Sequence, residues 1–335
     1  MAAIGGQDSE HLRGDVQKAI ASAFYADDYT EIWSACCPAL PAESRLLIDR
    51  VHLTCDVLPG HIGAFAQLAR EDAFWARHGA YRSTWTSSKR RGLGHMLRVS
   101  YLPRFDAKRP YAVISFVPPY LFERSWRQLI GVQLVTRVAS RLSELLALTA
   151  SVRVTKLDIA VDVAAPIWSL QVLCTRSRRF RTWPFDRNGE DDDRARTVQS
   201  GSRHSDISLS TYDKRIQMLR GWRRDIGGEL TRIEARVKVD VPVVALATLP
   251  NPFNWVTAHY LEPARDSAAG FKLAVRTARL IGLSKLRPAL ERSQYADLLA
   301  QTEIDPTSWP GHPRRVFDRH WRRVAYELLR SLGAT

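Results

Sequence analysis

Apolar residues recur along this chain in two periods, and the switches between them sketch an order of elements. Val16, Ile20 and Phe24 fall at helical spacing and predict an amphipathic helix over residues 9–25. Beyond Pro38 and Pro41 the period shortens to two. Residues 50–57 (RVHLTCDV) alternate as a strand, 62–75 return to helical spacing, and 96–102 and 111–117 alternate again, the last run closed by Pro118-Pro119. Residues 83–95 (STWTSSKRRGLGH) read as a polar loop holding Lys89, Arg90 and Arg91, either a solvated turn or a phosphate-contacting loop. A long helix is predicted over 124–150, where Leu129, Val132, Val135, Val138, Leu142 and Leu145 form an apolar stripe that reads as core.

The clearest strand is 151–163, and two more β-like runs lie within 207–238, separated by a basic segment containing Gly227-Gly228. From about residue 266 the pattern is helical and basic, with helices predicted over 268–283, 285–301 and 315–332. The acidic run in RNGEDDDR lacks the ligand alternation and Gly position of a calcium loop and reads as a solvated connection. The expected fold is α+β: a mostly antiparallel central sheet flanked by helices, with a small basic helical C-terminal region. Its divisions are a helical extension over 1–45, the α+β domain over 46–265 and the C-terminal helices over 266–335.

Composition narrows the function classes. The 335 residues are 45% hydrophobic and 25% charged, enough apolar material for a real core and unlike a disordered chain. Cys36, Cys37, Cys55 and Cys174 form no CxxC pair and have no His at ligand spacing, which argues against a structural zinc site and a disulfide framework and for a reduced compartment. No signal-peptide pattern and no membrane-length apolar run is visible, so a cytoplasmic location without a membrane partner is expected. The formal charge is +14, and 41 of the 49 basic residues are Arg. A polyanion such as nucleic acid is therefore the leading partner, although a GC-rich genome would also favour Arg. There is no GxxxxGK[ST] loop, no GxSxG elbow and no His-x-His triplet, which disfavours an ATP-driven motor, a serine hydrolase and a His-based nickase metal site.

Three strands carry polar faces. In KLDIAVD, Leu157, Ile159 and Val161 oppose Lys156, Asp158, Ala160 and Asp162. In RIEARVK, Ile233, Ala235 and Val237 oppose Arg232, Glu234, Arg236 and Lys238; in ISLSTYDK, Ile207 and Leu209 oppose Ser208, Ser210, Tyr212 and Lys214. Asp158 and Asp162 are about 13 Å apart along one strand, too far to grip one ion together. If the three strands share a sheet, one surface carries Asp158, Glu234, Tyr212 and Lys214. A tyrosine hydroxyl can attack phosphorus and keep the broken strand as an ester, provided a cation and basic groups offset the phosphate charge. Strand tyrosines are also ordinary β formers, and spacing alone leaves both readings open.

Taken in order, VRVTKLDIAVDV, GSRHSDISLSTYDKRIQ and LTRIEARVK resemble the replication initiation factor family of rolling-circle plasmids and filamentous phages. The resemblance covers about residues 152–238. It implies an enzyme that nicks and rejoins one DNA strand at a replication origin through a covalent 5′-phosphotyrosine, using Mg²⁺ or Mn²⁺. It implies Tyr212 as nucleophile, Lys214 as its basic neighbour, and Asp158 and Glu234, with Asp162 as a further one, as metal ligands. Gly201, Ser202, Arg203 and Ser205 lead into the tyrosine strand, where Arg203 would hold a phosphate. The chain departs from the family pattern at Lys156, often Arg there, and at Gln217, where an acid is frequent. The implied partners are origin DNA, including locally single-stranded DNA, together with a host helicase, a polymerase and a second copy in a homodimer. Tyr101, Tyr111 and Tyr120 are the tyrosines considered for a second role in closure.

Two basic segments interleaved with aromatics extend the expected DNA contact: Arg176, Arg178, Arg179 and Arg181 beside Phe180 and Trp183, and Arg220, Arg223 and Arg224 beside Trp222. Arg314, Arg315, Arg319, Arg322 and Arg323 crowd the start of the last helix, suited to lying along DNA or docking on another subunit. Two competing classes use the same basic surface without nicking: a non-enzymatic sequence-specific DNA-binding regulator, and an RNA-binding or RNA-processing protein.

Overall fold

The structure is a computed structural model that describes residues 44–70, 75–78, 83–87, 96–102, 111–123, 130–174, 180–184, 196–201, 205–222, 226–261, 269–287 and 290–333. Its strands are β1 (Ser44–Val57), β2 (Trp75–His78), β3 (Ser83–Ser87), β4 (Leu97–Leu102), β5 (Tyr111–Phe116), β6 (Thr149–Val163), β7 (Leu170–Cys174), β8 (Phe180–Pro184), β9 (Arg196–Ser200), β10 (Ile207–Asp213), β11 (Thr231–Pro242) and β12 (Val256–Tyr260). Ten of them form one sheet in the order β2-β3-β4-β5-β1-β6-β11-β10-β9-β8, while β12 and β7 form a two-stranded ribbon. Every pairing among these strands is antiparallel, so the fold is α+β as the alternation predicts.

The helices are α1 (Ile62–Arg70), α2 (Pro118–Phe122), α3 (Val132–Ala147), α4 (Lys214–Trp222), α5 (Ala269–Ile281), α6 (Leu283–Leu286), α7 (Arg292–Thr302) and α8 (Pro313–Ser331). On α3, Val135, Val138, Leu142 and Leu145 are buried at spacings of three and four, joining Leu157, Ile159 and Val161 of β6 and Ile233 and Ala235 of β11 in the main core. The last helix enters the same core. Val316, Phe317, Trp321, Ala325 and Leu328 are buried there; Phe317 stacks on Trp321 with ring centroids 4.8 Å apart, and Trp321 Nε1 donates to the Leu246 carbonyl at 3.2 Å. Helices α5, α6 and α7 instead close a smaller cluster, in which Val275, Ala278, Leu283, Leu286 and Leu298 pack with Leu173 of β7.

Several elements differ from the sequence pattern, each for a physical reason. The polar stretch expected as a loop contains β3, whose Trp85 is in register with Val99 of β4; a β-rich STWTS finds its ladder only through a non-local partner. Between the two β-like runs of 207–238 stands α4, because Asp213 ends its strand and caps the helix: its carboxylate accepts from the Ile216 amide at 2.9 Å. The β9–β10 turn relies on Gly201 at φ +94°, where an added Cβ would lie 3.1 Å from the Ile207 carbonyl oxygen. Cys55 and Cys174 are buried free thiols, and no described helix is long and apolar enough to cross a membrane. The helix expected over 9–25 and the acidic run 190–193 lie outside the described residues.

Candidate active site

Strands β6, β11 and β10 are adjacent in the sheet, so the three polar faces read from the sequence do form one wall. Its residues stand in ranks across the strands. The first holds Asp162, Arg232 and Tyr212, the second Ala160, Glu234 and Ser210, and the third Asp158, Arg236 and Ser208. Direct and diagonal neighbours on one sheet face are within reach of long side chains, which makes this register the source of every contact below.

In the first rank Arg232 grips Asp162 with both ends of its fork: Nε donates to Oδ1 and Nη2 to Oδ2, each at 2.6 Å. Its third nitrogen donates to Oδ1 of Asp49 at 2.7 Å. Asp49 reaches this position because β1 bulges between Ile48 and Arg50, inserting one residue opposite β6 and re-aiming its side chain. Burial opposes the Arg232 charge, but Asp162 outweighs it and holds the guanidinium well above its ordinary pKa. Asp162, 0% exposed, therefore has both oxygens committed to an arginine.

The Tyr212 hydroxyl donates diagonally to Oε2 of Glu234 at 3.1 Å. Tyr212 is 6% exposed; burial, reinforced by the negative charge of Glu234, pushes its phenol well above the usual pKa of 10. Burial together with Asp49 and Asp158 also raises Glu234, to about 7. The other oxygen of Glu234, Oε1, faces Arg236 at 3.7 Å, and Arg236 also donates to Asp158, Nε to Oδ1 at 3.1 Å. Lys214 does not extend the strand past Tyr212, the position expected from the alternation, but opens α4. There Nζ donates to Oε1 of Gln217 at 2.6 Å, so the residue standing where an acid was expected holds the lysine instead. Burial, with Arg232 adding to it, lowers Lys214 to about 8.

The wall thus brings together Tyr212, Glu234, Asp162 and Asp158, with Lys214 at its edge. Asp49, Arg232 and Arg236 are the site residues sequence reasoning did not assign a role. The alternation of RIEARVK already placed both arginines on the polar face, whereas Asp49 carried no signal because a bulge is a tertiary feature. Tyr111 stands on β5, with β1, β6 and β11 between it and the Tyr212 strand. Among the expected DNA contacts, Lys89, Arg90, Arg91, Arg176, Arg178, Arg179, Arg203, Arg223 and Arg224 lie outside the described residues; Arg181 is on β8 and Arg220 on α4.

For a divalent cation, Asp158 and Glu234 supply hard oxygen donors of the kind Mg²⁺ takes one or two at a time, and the Arg236 guanidinium lies against both. The donor types are those such an ion takes, but both oxygens of Asp158 accept from Arg236 and those of Glu234 meet Tyr212 and Arg236, so a cation would have to displace the guanidinium. Among the described residues no cluster of three or more His, Cys, Asp or Glu is arranged around a metal position.

No protein-family model matches the chain, and no curated protein matches it. Among solved structures it is similar to a rolling circle replication initiator protein from Geobacillus stearothermophilus, with 15% identity and a TM-score of 0.37, covering 68% of this chain and 90% of that one. A superposition that loose transfers neither residues nor activity.

Proposed function

We propose that this protein nicks and rejoins one strand of DNA at a replication origin, initiating rolling-circle replication through a covalent 5′-phosphotyrosine at Tyr212. The observation that carries the reading is the Tyr212–Glu234 hydrogen bond on a wall of paired acids and arginines. A phenol with a raised pKa is a poor nucleophile until a base takes its proton, and Glu234, at about 7, is matched to that task near neutrality.

In the proposed step Oη of Tyr212 bonds to phosphorus as its proton passes to Oε2 of Glu234, and the bond from phosphorus to the 3′ oxygen breaks. The leaving 3′ oxygen takes a proton, for which the Lys214 ammonium at about 8 is the donor. Reversal, with the 3′ hydroxyl attacking the phosphotyrosine, rejoins the strand. Arg232 orients rather than reacts: by pairing Asp162 and Asp49 it keeps the rank beside Tyr212 rigid. Mg²⁺ or Mn²⁺, for which the single carboxylate of Asp158 would suffice as protein ligand, would supply Lewis-acid polarisation of the phosphate and leave Glu234 free to take the phenol proton. Because Tyr212 is buried, engagement of the DNA strand has to uncover it.

That same burial favours a second reading, a sequence-specific DNA-binding regulator without chemistry. Incubation of the protein with supercoiled origin DNA, with and without Mg²⁺, separates the two. The enzyme produces metal-dependent relaxation and a protein-linked 5′ end, both lost in Tyr212→Phe. Tight binding with no cleavage across divalent metals would establish the regulator instead.

A further inference from the structure

A fourth rank crosses the polar face beyond Asp158, and three of its five residues are cationic. Arg98 of β4 pairs with Ser115 of β5, Ser115 with His52 of β1, His52 with Lys156 of β6, and Lys156 with Lys238 of β11. Direct partners share a sheet face, and the flanking residues Leu97, Val99, Ile114, Phe116, Val51, Leu53 and Leu157 are fully buried on the other. Arg98 and Lys238 are exposed, and His52 and Lys156 are half-buried. Five strands at about 4.8 Å spacing make the rank roughly 19 Å long. Arg50 and Arg236 flank it from the third rank, where Asp158 pairs with Arg50 on one side and with Arg236 on the other.

As folded, this arrangement is electrostatically unfavourable. Lys156 faces Lys238 directly, and like charges opposite one another in a sheet destabilise it. Burial and then Lys156 push His52 down to about 4, leaving it a neutral hydrogen-bonding imidazole within 3.5 Å of Ser115 Oγ. A line of cations broken by two neutral hydrogen-bonding groups matches a chain of phosphates, since each phosphate laid along it relieves repulsion the fold otherwise bears.

We propose that Arg98, Ser115, His52, Lys156 and Lys238 form a phosphate track that carries single-stranded DNA across the sheet, perpendicular to the strands, on the face that carries Tyr212 three ranks away. That this is the strand cleaved at Tyr212 rests on the nicking function proposed above; its binding by the track does not.

The test measures affinity for a single-stranded oligonucleotide across a salt series in Tyr212→Phe protein, where no cleavage intervenes. The variant Arg98→Gln/Lys156→Gln/Lys238→Gln removes three cations from the track. The control Arg276→Gln/Arg292→Gln/Arg330→Gln removes three exposed cations from α5, α7 and α8, helices that lie outside the sheet. The track variant should flatten the slope of log affinity against log salt by about two, following a slope of roughly 0.7 per phosphate contact, while the helix control leaves it unchanged. The melting temperature of the track variant should hold or rise, because repulsion is removed. An unchanged slope, or equal losses in both variants, would overturn the track. A flattened slope, with the wild-type protein failing to nick supercoiled origin DNA, would keep the track and reject the nicking function; wild-type nicking with an unchanged slope would do the reverse.

Discussion

Two regions of this protein bury polar side chains, and they solve the problem differently. The wall of β6, β11 and β10 buries charges, and each is matched: Arg232 with Asp162 and Asp49, Arg236 with Asp158 and Glu234. The corner where the β7–β12 ribbon meets α5, α6 and α7 buries neutral groups. There Gln171 donates from Nε2 to the Ala278 carbonyl at 3.0 Å and accepts from the Leu283 amide at 2.8 Å, while His259 lies between Thr302 at 3.2 Å and Thr257 at 3.1 Å. A neutral clasp needs only its hydrogen bonds to offset desolvation. A charged wall needs its partners as well, so it is tolerable only where something is gained from keeping charge ready. The corner fastens helices to the fold, and the wall holds a phenol against a carboxylate.

The largest blow to this contrast falls on the wall. Arg232→Met strands the buried Asp162 and should cost about 3–5 kcal/mol in urea denaturation; adding Asp162→Leu should restore most of it, because an apolar pair needs no charge matching. A corner that lost as much when one clasp residue was removed would erase the distinction.

Acid probes the corner next. Burial holds His259 at about 4, below its usual 6.5, so the neutral form is favoured in the folded state. The stability it contributes is complete above pH 6.5 and is lost as pH falls toward 4, up to about 3 kcal/mol. His52 and His312, also lowered to about 4 by burial, act in the same direction. His259→Gln should flatten the denaturation midpoint against pH over that window without abolishing the slope.

Gln171→Leu leaves the Leu283 amide without its acceptor and the Ala278 carbonyl with the Gly282 amide alone, and should cost about 1–3 kcal/mol, less than the charged substitution because no ion is stranded. At the small end, Asp240→Asn breaks the surface pair with Arg153, whose side chains are 41% and 71% exposed for Arg and Asp. The denaturation midpoint should not move measurably, since solvent screens such pairs. A large shift there would mean that exposure does not grade the electrostatics of this sheet.

Parts of this design are legible in local pattern. The alternation of KLDIAVD, ISLSTYD and RIEARVK placed Tyr212, Glu234, Asp158, Asp162, Arg232 and Arg236 on polar faces, and the paired strands keep them there. Strands β3, β8 and β9 and the β7–β12 ribbon were not legible, because short runs with weak alternation acquire strand structure only from partners distant in the chain. Lys214 left its expected strand because Asp213 serves as a helix cap, a role that Asp residues in strand-like runs do not announce.

By itself the sequence determined which side chains share a face, since a period of two is set by the geometry of each extended segment alone. It determined in the same way the apolar stripes that drive α3 and α8 into the core. Tertiary structure alone decided which strands are neighbours and in what register, and therefore that Arg232 takes Asp162, that a bulge brings Asp49 to the same guanidinium, and that five strands align one basic row. Register depends on contacts between segments tens to hundreds of residues apart. A single-residue slip would turn every one of these side chains to the opposite face, so the site exists only once the whole sheet has closed.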